Sequence, residues 1–161
     1  MLFTTHLLVG SAIGKATGNP ASGFIVGYLS HHLLDYIPHY DPGSLLYKDE
    51  EKDVVWKPFT YFMAILDVAV GLGIVTIVAL NSPDATNIIA GGLGGVLTDL
   101  LDNVPTIKDI FRKTKFGKGF HNLHETFHNT LTTESIFIGL MMQIILSGIM
   151  LIYIAQGAIY I

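Results

Sequence analysis

The seven histidines of this chain gather at the ends of its apolar stretches and avoid their middles. His31, His32 and His39 stand with Asp35 and Asp41 in SHHLLDYIPHYD (30–41). His121, His124 and His128 stand in HNLHETFHN (121–129), and His6 lies near the start. The chain has no cysteine, so imidazole and carboxylate are the side chains left to hold a divalent metal. His31 and Asp35 are four residues apart and would share one helix face. His32 has a same-face spacing to Asp35 as well, and His31 is the preferred ligand with His32 behind it. His121, His124 and His128, spaced by three and four, would form one helical stripe, with Phe120, Leu123 and Phe127 on another. Glu125 follows His121 by four and would serve as a ligand or as a general base acting on water. Asp99 and Asp102 suit a hard cation or a bridge between two. Negative charge at a helix C-terminus opposes the helix dipole, which argues that they serve function.

The expected ligand set is therefore His6, His31, Asp35, His39, Asp99, Asp102, His121, His124 and His128, with Glu125 as the candidate catalytic group. Blander readings exist for each part. Polar groups collect at helix ends near lipid headgroups, and a histidine-bearing surface helix can bind anionic headgroups when protonated. Neither accounts for so many ligand-type groups beside membrane-like segments. The expectation is a centre of more than one ion, zinc or alternatively manganese.

The elements that must position these groups are apolar. Half of the 161 residues are hydrophobic and 14% are charged, against about 25% charged in soluble domains. Phe59–Leu80, interrupted by Asp67, and Ile136–Ile161, without charge, are long enough to cross a bilayer. The pattern predicts an all-α fold: one polytopic helical membrane domain of about five helices, near 4–17, 21–37, 58–80, 85–103 and 133–161. Polar loops at 39–56 and 105–130 are expected on one face. Strands are a poor alternative, because an open sheet in lipid leaves backbone groups unsatisfied. The start of the chain lacks the cationic opening of a signal peptide, so retention is expected.

Glycines recur every four residues at Gly10, Gly14 and Gly18, at Gly23 and Gly27, and at Gly91 and Gly95. Such stripes let membrane helices approach closely. A short internal echo pairs His32-Leu-Leu-Asp35-Tyr-Ile-Pro38 with Asp99-Leu-Leu-Asp102-Asn-Val-Pro105. Charge orients the bundle. Lys48, Lys52 and Lys57 lie between helices two and three, and Lys108, Arg112, Lys113, Lys115 and Lys118 lie between helices four and five. The positive-inside rule makes that side cytoplasmic. Every ligand candidate falls at the same side, although the charge argument does not use them. Asp67 lies outside that layer, and a carboxylate inside an apolar helix is usually functional or paired.

THLLVGSAIG (5–14), GYLSHHLLD (27–35), IPHYD (37–41) and HNLHETFHN resemble the membrane-bound metal-dependent hydrolases. That resemblance implies metal-binding parts for His6, His31 and Asp35. His-x3-Asp followed later by His121 and Glu125 is similar, more thinly, to zinc-dependent phospholipase C and P1-type nucleases, which are helical enzymes with several zinc ions. The order of motifs departs from both groups, and Asp99 and Asp102 have no counterpart in them. The functional expectation is hydrolysis of a phosphoester or lipid-type substrate at the cytoplasmic surface of the inner or plasma membrane, with membrane lipids as partners. The alternative is a non-enzymatic metal protein, an ion transporter or sensor, in which Asp67 would line a path. Nucleic acid is not an expected partner, since the basic cluster lacks a stacking platform.

Overall fold

Gly18, Asn19 and Pro20 show how the chain's punctuation becomes helix ends. Gly18 takes a left-handed φ of 61° and closes the first helix, the Asn19 side chain accepts the Ser22 N–H at 3.0 Å, and Pro20 opens the second. The computed structural model describes residues 1–41, 58–129 and 136–158. Its helices are α1 (Phe3–Thr17), α2 (Pro20–Tyr36), α3 (Pro58–Leu80), α4 (Ala85–Asp102), α5 (Pro105–Phe111), α6 (Lys115–Phe127) and α7 (Ile136–Ala155). Among the described residues there is no strand. Two backbone hydrogen bonds join the ends of α2 and α6: His39 N–H donates to Asn129 O at 3.1 Å, and Asn129 N–H donates to Asp35 O at 2.9 Å.

The all-α expectation holds, with one change of organisation: the segment expected as a polar loop over 105–130 contains two helices, α5 and α6. Pro105 starts α5 at a position where its missing N–H costs nothing, and the Thr114 hydroxyl accepts the Gly117 N–H at 2.9 Å to start α6. The charged residues of 48–53, Lys57, and the outermost turns expected for the last helix lie outside the described residues.

Glycine sets the packing of α1, α2 and α4. A Cβ on Gly91 of α4 would fall on the backbone of Gly10 and Gly14 in α1, and one on Gly27 of α2 would fall on the Gly91 carbonyl. The three helices therefore touch backbone to backbone, as the four-residue spacing predicts. Leu7, Leu8, Val75, Ile88, Val96 and Ile154 fill the rest of the core.

Helices α3 and α7 flank α1 and hold its first turn. Leu2 starts α1 without a side-chain cap of its own. Asp67 of α3 accepts the N–H groups of Phe3 at 2.7 Å and Thr4 at 3.2 Å, and Gln143 of α7 accepts the Leu2 N–H at 2.7 Å. Two polar residues in apolar helices thus satisfy the free donors of a neighbouring helix end. At the other end, Lys15 Nζ donates to the carbonyls of Tyr153, Ile154 and Gln156 at the last turn of α7.

Among the described residues, two helices are long and apolar enough to cross a membrane, over Tyr61–Leu80 in α3 and Phe137–Ala155 in α7. Only 22% and 17% of their most apolar windows is buried within the protein, unlike the core helix of a soluble domain. Ile65, Ile77, Phe137, Ile144 and Ile152 all face outward, each more than half exposed.

Candidate metal centre

The Asp35 carboxylate lies at the end of α2 with no exposure, and imidazoles surround it. His31 Nε2 is 3.1 Å from Oδ2, one helical turn back on the same face. His124 Nε2, from α6, is 3.3 Å from Oδ2. His6 Nε2, from α1, is 3.1 Å from Oδ1, and His39 Nε2 is 3.7 Å from it. The α-amino group of Met1 also reaches this side, 3.1 Å from Oδ1 and 2.7 Å from His39 Nε2.

The far nitrogens of three of these rings are tied to fixed acceptors. His31 Nδ1–H donates to the Gly95 carbonyl at 2.9 Å, and His39 Nδ1–H donates to the Ile37 carbonyl at 2.9 Å. His124 Nδ1–H donates to Asp102 Oδ2 at 2.8 Å. A carbonyl can only accept, so these bonds place the proton on Nδ1 and turn Nε2 towards Asp35. Metal-ligating histidines carry this pattern, in which the outer nitrogen is anchored and the inner one presents a lone pair.

The inner contacts differ: His6 Nε2 and His124 Nε2 lie at hydrogen-bond distance from Asp35, and His31 Nε2 makes no such bond. His31 Nε2 has no hydrogen-bond partner despite its 3.1 Å approach to Asp35. Its lone pair faces an oxygen that can only accept, an arrangement that repels unless a cation stands between. Two ligands about 2.1 Å from a tetrahedral ion stand roughly 3.4 Å apart. The 3.1 and 3.3 Å separations at Asp35 Oδ2 are close to that.

Among the described residues, four groups of side chains bring ligand atoms within 4.8 Å of one another: His31, Asp35 and His124; His6, His31 and Asp99; Asp35, His39 and His128; and Asp102, His121 and Glu125. Every ligand candidate taken from the sequence, and Glu125, falls in one of them. His31 and Asp35 each belong to two groups, so the first three are continuous. The carboxylate of Asp35 faces His31 and His124 with Oδ2, and His6 and His39 with Oδ1. Buried histidine and aspartate groups here could hold a metal ion.

The fourth group differs. Asp102 is fully buried, and its Oδ2 accepts from both His121 Nδ1 at 2.9 Å and His124 Nδ1 at 2.8 Å. Its Oδ1 accepts the Arg112 Nε–H at 2.7 Å. A guanidinium already neutralises this carboxylate. Glu125 is exposed and lies with Asp102 and His121, not with Asp35. His32 is buried but enters no group; its ring packs edge-on to Tyr28 and beside Phe127. His128 meets Asp41 at 3.3 Å near the surface. Asp99 is half-buried and accepts from Asn103 Nδ2 at 2.8 Å.

Electrostatics separates the rings outside the apolar helices. Burial, then the nearby Met1 ammonium, lowers His39 to about 4, so its Nε2 is a lone pair at neutral pH. Burial also opposes charge on His124, but the carboxylates of Asp102 and Asp35 outweigh it and raise the ring to about 9. A cation bound at Asp35 would displace that second proton.

Several partners had no signal in the sequence: the carbonyls of Gly95 and Ile37, and Arg112, which reads there only as one of a cationic run. Comparison with protein-family models, with curated proteins and with solved structures found no match.

Proposed function

We propose that the protein is a membrane-embedded, metal-dependent hydrolase acting on a phosphoester or lipid-type substrate. One observation carries the reading: three anchored imidazoles turn their Nε2 atoms onto a single buried carboxylate. The donor set is nitrogen and oxygen without sulfur, which suits zinc, with manganese as the alternative. The two oxygens of Asp35 face different imidazole pairs, which favours a bridging part and more than one ion. The resemblance to membrane-bound metal-dependent hydrolases supports the same reading through His6, His31 and Asp35.

A divalent ion supplies an acidified water and neutralises developing charge on the substrate. The chain's own residues do the rest. Asp102 holds His124 in the tautomer that leaves Nε2 for the ion, and Arg112 fixes Asp102. Glu125, exposed on the Asp102 side of the centre, is assigned the exchange of protons with solvent. Packing of α1 against α4 keeps bulk water from the buried ligands.

On this reading α1, α2, α3, α4 and α7 are all embedded. The outward face of α2 supports it, with Ile25, Leu29, Leu33 and Tyr36 each more than half exposed. The cationic run of α5 and α6 supports a site on the cytoplasmic side of the inner or plasma membrane, near anionic headgroups. The transporter reading loses its main support, because Asp67 caps α1.

The test is hydrolysis by zinc- or manganese-loaded protein in lipid nanodiscs, across phosphodiesters and phospholipids. Metal-dependent turnover that falls in Glu125→Gln, with metal content retained, is the expected result. Loaded protein that turns over none of these, yet moves metal across vesicles, would favour the transporter.

A further inference from the structure

A cavity of about 230 Å³ opens beside the metal centre, between α7 and the segment that follows α2. Ile37, Pro38, Met142 and Leu146 supply its apolar wall, and His39 and Gln143 are its polar members. His39 also belongs to the ligand group with Asp35 and His128. The cavity therefore borders the centre at His39 and at Met1, whose α-amino group lies 3.1 Å from Asp35 Oδ1.

Its polar side chains are engaged elsewhere, and the α-amino group of Met1, also in the lining, is turned to Asp35 and His39. Gln143 accepts the Leu2 N–H with Oε1 and donates with Nε2 to the carbonyls of Tyr40 at 2.9 Å and Gly139 at 3.0 Å. His39 gives its Nδ1–H to Ile37 O and its backbone N–H to Asn129 O. The Ile37 N–H goes to Leu34 O, and Pro38 has none to give. A site that offers no hydrogen bond holds water poorly and suits an apolar guest. An engineered cavity of about 150 Å³ accepts a benzene ring, so this volume takes a short alkyl segment. The outer side of the same helix is apolar, with Ile138 and Ile145 both more than half exposed.

Resting on the hydrolase reading, we infer that this cavity receives an alkyl chain of the substrate, whose ester group then lies at Asp35 and His39. The substrate class becomes an amphiphile: an anionic ester head at the metal ions and a hydrocarbon tail along Met142 and Leu146. The tail contributes binding and alignment, and the bond that breaks lies at the inner end of the cavity. A water-soluble phosphoester without a tail would bind through its head alone.

Binding of methyl-, butyl- and octylphosphonic acid to the zinc-loaded full chain, followed by calorimetry, tests this. Affinity should climb about fourfold for each added methylene until the cavity is filled. Leu146→Trp, which fills the cavity, should flatten that climb, with zinc content as the check that the variant folds. Methylphosphonate binding with no gain from longer tails in the wild type overturns the cavity assignment alone. Failure of every phosphonate to bind overturns the metal-hydrolase reading along with it.

Discussion

The C-terminal ends of α2 and α4 carry the same short pattern and finish on buried aspartates with opposite surroundings. Asp35 in HLLDYIP is ringed by four imidazole Nε2 atoms and the Met1 α-amino group, with the His31 Nε2 lone pair turned to its Oδ2, and Asp102 in DLLDNVP faces the Arg112 guanidinium and two imidazole N–H groups. His124 stands between them, 2.8 Å from Asp102 through Nδ1 and 3.3 Å from Asp35 through Nε2. A carboxylate ringed by donors is already neutralised. At Asp35 the Met1 ammonium reaches Oδ1, and the His31 Nε2 lone pair still faces Oδ2, where a bound cation would turn repulsion into ligation. The difference lies in which elements stand opposite: α5 and α6 at Asp102, and α1, α6 and the segment after α2 at Asp35.

Exchanging either aspartate should break the comparison unequally. Asp35→Asn should abolish retention of zinc by purified protein, read by elemental analysis, since every buried group that shares Oδ1 or Oδ2 loses its anion. Gly91→Leu comes next. Its side chain would meet the backbone of Gly10 and Gly14, which has no freedom to give, so thermal unfolding should show a loss of about 3 kcal/mol. Asp102→Asn should leave metal bound but weaken its affinity about 10- to 100-fold in competition with a chelator. The amide can present an N–H to His124 Nδ1 and push the remaining proton onto Nε2, the nitrogen the ion needs.

A pH series sharpens the same contrast. Metal must displace the second proton of His124, held up to about 9 in the metal-free protein. Affinity should therefore rise by about tenfold per pH unit towards that value, and the slope should shrink in Asp102→Asn. In the metal-free protein the sign reverses. The raised pKa of His124 stabilises the fold fully below about 6.5, and that contribution is lost as pH rises through about 9. The smallest effect belongs to Asp67→Asn. It weakens a cap worth about 1 kcal/mol and should lower the melting temperature slightly with metal content unchanged.

The spacing of His31 to Asp35, and of His121 to His124, was legible because one helix presents both members; His128 falls just past α6 in extended backbone and turns instead to His39 and Asp41. The glycine stripes were legible for the same reason: Gly10, Gly14 and Gly91 meet as their four-residue period implies. Partners across elements were not. Asp67 announced only that a polar group in an apolar helix needs a partner, nothing local named the first turn of α1, and Gln143 carried no reading in the sequence at all. Asp102 reads as a ligand in isolation; Arg112, ten residues on, changes its part. Helix α5 and the first turns of α6 were masked by their polarity, since charge and glycine there suggest a loop until Thr114 is seen as a cap, whereas the histidine spacing already implied helical turns over 120–129.

Elemental analysis of chelator-free wild type beside Asp35→Asn, each shown to be folded, addresses the centre most directly. Stoichiometric divalent metal in the wild type and none in Asp35→Asn is the expected result. Metal-free wild type that stays folded and takes up no added zinc, or equal metal in both proteins, would contradict a cation held at Asp35.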